Sequence, residues 1–139
     1  MIPRLRIMRW TPVLLAMLCL AACGDVEKSE IFTVLDARDK AVTERNIEDY
    51  SKLLLKNYQY QGKSKFDVVA EVMSLFDQFD ASEMKSYDRI TRLLDDNHAQ
   101  CEQSYMLRVQ ADGEWRQVSQ REQIFLTKTP SGWKISGGL

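Results

Sequence analysis

The chain has 139 residues, with 19 basic and 20 acidic side chains, one histidine and a net charge of −1. That balance speaks against nucleic-acid binding, which needs a basic face, and no run of like charge makes a polybasic membrane patch. The length after processing of an export signal suits one domain rather than two.

The first 22 residues read as that signal. Arg4, Arg6 and Arg9 form a positive stretch without an acid, and Val13–Leu20 follows as a short apolar run. Eight apolar residues span about 12 Å as helix, against a hydrocarbon core of roughly 30 Å, so the run fits a cleavable signal rather than a membrane span. Leu20-Ala21-Ala22-Cys23-Gly24 resembles the lipobox of bacterial lipoproteins. The resemblance implies a lipidated Cys23, cleavage before it, and a chain held to a membrane by more than one acyl chain. Gly24, rather than an aspartate, follows the cysteine, which by the enteric rule implies the outer membrane, facing the periplasm. Residues 1–22 are therefore expected as signal peptide, 23–28 as lipidated cysteine and tether, and 29–139 as the domain. The mature part would carry 16 basic against 20 acidic residues. Its tether, Gly24–Lys28, would reach at most about 18 Å.

Helical periodicity begins after Ser29, with Ile31, Val34, Leu35, Ala41 and Val42 near one face and charged residues opposite. Asn46 is a break and N-cap, and Glu48 and Asp49 in the next turn complement the helix dipole. Tyr50, Leu53, Leu54 and Tyr58 give a shorter amphipathic piece, and Gln61-Gly62 marks a turn. Ser64 caps a third helix with Asp67 three residues on. Its stripe of Phe66, Val69, Ala70, Met73, Phe76 and Phe79 is expected to be core.

After Asp80 the pattern turns to strands. Lys85–Leu94 is mixed, with a bulge able to shift its facing, and Asp95-Asp96-Asn97 signals a turn. Ala99, Cys101, Tyr105, Leu107 and Val109 alternate along one face, interrupted by Gln103. Ala111-Asp112-Gly113 is a hairpin turn. In 115–128, Val118, Ile124 and Leu126 share one face, with Trp115 and Phe125 on the other. Pro130-Ser131-Gly132 turns the chain into Trp133-Lys134-Ile135. Three helices followed by an antiparallel meander predict an α+β fold, with N-terminal helices packed on a curved antiparallel sheet.

This order resembles the NTF2-like superfamily, which includes SnoaL-like proteins. The likeness is carried by Ala41–Asn46 leading into Asn46-Ile47-Glu48-Asp49-Tyr50, by Tyr58-Gln59-Tyr60-Gln61-Gly62, and by Phe125-Leu126 with Gly132-Trp133-Lys134-Ile135-Ser136-Gly137-Gly138-Leu139. The short segment between the second and third helices departs from the family, many of whose members carry a strand pair there. The resemblance implies a cone enclosing a pocket and a homodimer formed through the sheet. It leaves activity open, because some members are isomerases or dehydratases using an Asp or His base with a Tyr, and others bind ligands or proteins.

A catalytic set is hard to find. His98 sits beside a turn with two aspartates and reads as solvated. Asp88 or Tyr105 could enter a pocket, but their facing is not fixed by the pattern. Cys101 reads as a small buried hydrophobe, since His98 falls on the opposite strand face. With Cys19 removed in the signal and Cys23 lipidated, no disulfide framework remains. Gln103, Gln120 and Glu122 lie on otherwise apolar faces and are candidates to line a wet pocket, because a buried polar group must be satisfied. No metal or cofactor is expected, as one histidine and scattered carboxylates fit neither zinc nor EF-hand spacing. The leading expectation is a lipid-anchored cell-envelope protein whose non-enzymatic domain binds a small apolar ligand or a protein partner. An isomerase- or dehydratase-type enzyme and a structural envelope protein are the alternatives.

Overall fold

Helix α1 (Leu18–Thr43) presents Ile31, Leu35, Ala41 and Val42 inward, all buried, as its periodicity requires. The computed structural model describes residues 18–139, with side chains from residue 24 onward. The positive stretch, the start of the apolar run and the Cys23 side chain lie outside the described residues. Among the described residues no helix is long and apolar enough to cross a membrane.

The helix runs through 24–28, where the sequence predicts a tether. Glu27 explains the docking of this end. Its carboxylate accepts from the Trp133 indole at 2.7 Å and pairs with the Lys128 ammonium. The bond from Lys128 holds the Glu27 carboxyl below its ordinary value, against the opposing effect of burial. A group with a depressed folded pKa stabilises the fold above its unfolded pKa and loses that contribution as pH falls through the folded value. Wild type and Glu27→Gln should therefore differ in Tm at pH 7 and converge toward pH 3. A Tm gap of constant size across that range would refute this role for Glu27.

Helix α2 (Ile47–Lys52) starts at Asn46, whose side-chain oxygen accepts from the Asp49 N–H at 3.0 Å. Strands β1 (Gln59–Tyr60) and β2 (Lys63–Ser64) then form a two-residue antiparallel pair around Gln61-Gly62. The short segment between the second and third helices, expected to lack a strand pair, thus carries a two-residue one. Both turn residues adopt positive φ, 47° at Gln61 and 80° at Gly62. Helix α3 (Lys65–Gln78) opens with the capping box, Ser64 and Asp67 each satisfying the other's backbone N–H. Its C-terminal end is held by Arg45, whose guanidinium donates to the Phe76 and Phe79 carbonyls.

The inward face of α3 differs from the expected one. Val68 and Phe76 are buried, with Val72 and Leu75 packed beside them, whereas Phe66 is 79% exposed and Met73 47%. The helix is apolar on two sides, and Val68, Val69, Val72, Leu75 and Phe76 turn to the core, leaving Phe66, Ala70 and Met73 of the expected stripe outside. Val69 and Phe76 belong to both descriptions, lying at the border of the two stripes.

The sheet runs β3 (Ala81–Leu93), β4 (His98–Ala111), β5 (Glu114–Thr129) and β6 (Gly132–Gly137), each antiparallel to the next. The β4–β5 turn places Asp112 at φ 52° and Gly113 at φ 77°, the left-handed pair that a two-residue type I′ hairpin demands. Strand β6 pairs only with Phe125–Thr129 of β5, so the other half of β5 extends beyond it. At the chain end Gly138 adopts φ 94°, and a Cβ there would stand 2.0 Å from the Gln123 carbonyl. This close approach lets the Leu139 N–H reach the Tyr58 hydroxyl at 3.0 Å. Ile124, Leu126 and Ile135 from the sheet meet Ile31 and Leu35 from α1 to form the centre of the core. The α+β arrangement of helices on a curved antiparallel sheet is thus the observed one.

Candidate functional site

A charged network lies inside this fold, where the sequence places apolar stripes broken by Gln103, Gln120 and Glu122. Arg38, on the inner face of α1, is 7% exposed and grips Glu122 of β5 with both Nη atoms, at 2.5 and 3.2 Å. Gln103 of β4, wholly buried, donates to the Glu122 Oε1 at 2.8 Å and accepts from the Arg89 Nε at 2.9 Å. Arg89 also donates to Asp36 at 2.6 Å. Asp39 lies 3.8 Å from it and accepts from the Ser86 N–H and hydroxyl. Burial works to lower the Arg38 pKa, but Tyr50 and Glu122 together outweigh it and leave the pKa raised, so the guanidinium stays charged. The interior balance is two arginines against Glu122 and Asp39, with Asp36 at the rim.

A β-bulge decides which residue of β3 joins the network. Ser82, Met84 and Ser86 point inward, and plain alternation would bring Asp88 in next. Instead two residues, Asp88 and Arg89, oppose the single Gln103 between the pairs Tyr87↔Ser104 and Ile90↔Glu102. Asp88 takes φ 53° as the extra residue and faces solvent, and Arg89 turns inward in its place. The bulge therefore removes Asp88 as a pocket acid.

Above the network an open cavity of about 250 Å³ lies between helices and sheet. Arg38 and Val42 of α1, Tyr50 of α2, Val72 and Leu75 of α3, and Met84, Tyr105 and Leu107 of the sheet line it, with Glu71 at the edge. None of Gln103, Gln120 and Glu122 lines it directly. Gln103 and Glu122 stand behind Arg38, and Gln120 is exposed, accepting from the Tyr105 hydroxyl at 3.1 Å. Burial, with Glu122 adding to it, pushes the Tyr105 phenol up, so it stays protonated at neutral pH.

The remaining candidates fall elsewhere. His98 is exposed, with its Nδ1 2.9 Å from both Asp95 oxygens. Cys101 is fully buried; burial raises its pKa, and the Thr91 hydroxyl lies 3.5 Å from its sulfur. A larger cleft of about 630 Å³ beside Gly24 of α1 includes Glu27, Lys128 and Trp133. In its lining Glu27 is paired as described, and Asp95 accepts from the Asn97 N–H and lies against His98. Among the described residues no three His, Cys, Asp or Glu side chains gather as metal ligands.

Arg38, Arg89 and Asp39 are the site residues that sequence reasoning missed. Arg38 did leave a signal, because 31, 35, 38 and 42 form one helical stripe and only the charge argued against placing it inside. Arg89 left none, since its facing depends on the bulge.

No family model matches the chain, and no curated protein matches it in sequence. Solved structures do match its fold. An NTF2-like protein with a cystatin-like fold from Novosphingobium aromaticivorans superimposes with a TM-score of 0.73 at 12% identity, covering 92% of this chain and 89% of that one. A scytalone dehydratase candidate from the same organism gives 0.74 at 10% identity, with 85% of each chain covered. A dehydratase candidate of the NTF2-like family from Streptomyces avermitilis gives 0.70 at 11% identity, covering 83% of this chain and 94% of that one. At these identities the likeness is one of fold, and the fold is the NTF2-like, cystatin-type α+β cone.

Proposed function

We propose that the chain is an exported lipoprotein, anchored through Cys23 in the outer membrane and facing the periplasm, whose domain holds a small and largely apolar ligand without transforming it. The observation that carries the binding role is the open cavity between helices and sheet, apolar along Val42, Val72, Leu75, Met84 and Leu107 and polar where Arg38 closes it. Such a pocket, apolar with few fixed polar groups, suits ligand capture. The lipobox supports the anchor, and pairing of two copies through the sheet belongs to the same reading.

The non-enzymatic part rests on the state of Glu122. Both its oxygens accept from Arg38, and Oε1 accepts from Gln103 as well, so the interior carboxylate is committed to structure. One observation favours the isomerase or dehydratase reading: Glu122 lies near enough to Tyr105 to influence its titration. Conversion of a bound compound on incubation would decide for that reading.

Two measurements test the proposal. Cys23→Ser should lose labelled palmitate and accumulate as uncleaved precursor; labelling at the normal level would refute the anchor. Native mass spectrometry of the full chain should show a retained small-molecule mass that disappears in Leu107→Trp, which fills the cavity. A mass retained equally by both proteins would place the ligand elsewhere.

A further inference from the structure

The two edges of the sheet are not treated alike. Along β3 the outward N–H groups are taken by α1: Met84 donates to the Thr43 hydroxyl at 2.9 Å and Ser86 to the Asp39 carboxylate at 2.7 Å. Along β5 the cover ends where the pairing with β6 stops, at Phe125. The hairpins at its two ends fix which groups this leaves bare. Ala111 and Glu114 flank the two-residue turn into β5 as a hydrogen-bonded pair, so the even residues of β5 bond β4. Thr129 and Gly132 flank the turn into β6 in the same way, so the odd residues face the β6 side. The N–H and C=O groups of Trp115, Gln117, Ser119 and Arg121 therefore project from the edge, with no backbone partner among the described residues. All eight residues of Glu114–Arg121 are exposed. No proline, lysine or bulge guards the stretch, although these are the usual ways of blunting a bare edge.

We propose that this edge pairs with the same edge of a second copy, antiparallel about a two-fold axis at Val118, joining two four-stranded sheets into one. The inference rests on the pairing of two copies through the sheet proposed above and names the surface that does it. The occupant follows from self-complementarity. Val118 is the midpoint of Trp115–Arg121, so only a register centred there lets all four projecting residues of each copy bond. In that register Trp115 stands opposite Arg121 of the second copy, and Gln117 opposite its Ser119, as hydrogen-bonded pairs. Arg116 stands opposite Gln120 of the second copy, and Val118 opposite its own counterpart. Opposed side chains share a face, and from 115 to 121 no like charges meet. Trp115 against Arg121 makes a cation–aromatic pair. Val118, 48% exposed, gains an apolar neighbour while both faces of the strand stay open to solvent.

The full chain in dodecyl maltoside micelles should have the protein mass of a dimer by light scattering and fall toward monomer on dilution. Ser119→Pro removes an N–H that bonds nothing in β4, so circular dichroism should be unchanged while the dimer weakens about tenfold or more. Val118→Cys places two thiols in a non-hydrogen-bonded pair with Cα atoms about 4.5 Å apart, within reach of a disulfide. Copper phenanthroline should cross-link that variant on a non-reducing gel. Glu114→Cys should not react, since it lies roughly 26 Å from its own copy at about 3.3 Å per residue. Native Cys101 is fully buried and stays out of the reaction. A dimer that Ser119→Pro leaves intact would overturn the edge while leaving pairing through another part of the sheet standing. A wild type that stays monomeric at every concentration would overturn both. Should Ser119→Pro fail to fold, the cross-links decide: no reaction at 118, or equal reaction at 118 and 114, would overturn the inference.

Discussion

Replacing Glu122 by alanine is expected to cost about 3–5 kcal/mol of stability, the range for removing one partner of a buried ion pair. The pair qualifies because the side chains of Arg38 and Glu122 are only 8% and 12% exposed and the contact is bidentate. The substitution leaves the Arg38 guanidinium charged and unpaired in the interior and takes from Gln103 the acceptor for its amide. The loss is large against the roughly 5–15 kcal/mol that stabilises an ordinary domain. Urea denaturation should show the midpoint falling with little change in slope. A double variant, Arg38→Met with Glu122→Leu, removes both charges and fills the space with apolar groups, so it should recover most of the loss. A cost below about 1 kcal/mol for Glu122→Ala would mean that solvent reaches the pair and screens it.

That contrast shows why the site was only half legible in the sequence. Local signals read well, because each is a contact between near neighbours. Asn46 caps α2, Ser64 and Asp67 close their box, and Asp112-Gly113 makes the hairpin, all from residues within a few positions of one another. Gln103 also stood out as a polar break in an apolar face. Its partner Glu122 stood out on the same ground; the arginines did not, because Arg38 and Arg89 come from other elements, and a charged side chain on an apolar stripe looks like a solvated one until the opposing carboxylate is placed. The facing of Asp88 and Arg89 required the bulge, a two-against-one register with Gln103 that only pairing with β4 defines. In α3 both stripes are apolar, so periodicity alone could not choose between them, and the position of the sheet makes Val68 and Phe76 the inward pair.

The limits of the helical cover lead to the second large effect, along one face of one strand. Val118 and Ile124 lie on the same side of β5, an even number of residues apart, and the sequence gives them the same role. The structure separates them: Ile124 is fully buried, while Val118 is 48% exposed. The helices cover β5 only from Glu122 onward, and the exposed half, Glu114–Arg121, projects past both the cover and β6. Ile124→Ala should therefore open a cavity against Ile31, Leu35 and Ile135 and cost about 2–5 kcal/mol. Val118→Ala should stay within about 0.5 kcal/mol, as befits a surface position away from special features. The two costs, measured by urea denaturation in the same background, test the extent of the core directly. A cost at Val118 approaching that at Ile124 would mean the projecting half of β5 is buried in solution, which a second copy packed against the sheet would achieve. In that case the loss should grow as the protein is concentrated, because an interface that only the folded chain can form adds to its stability by mass action.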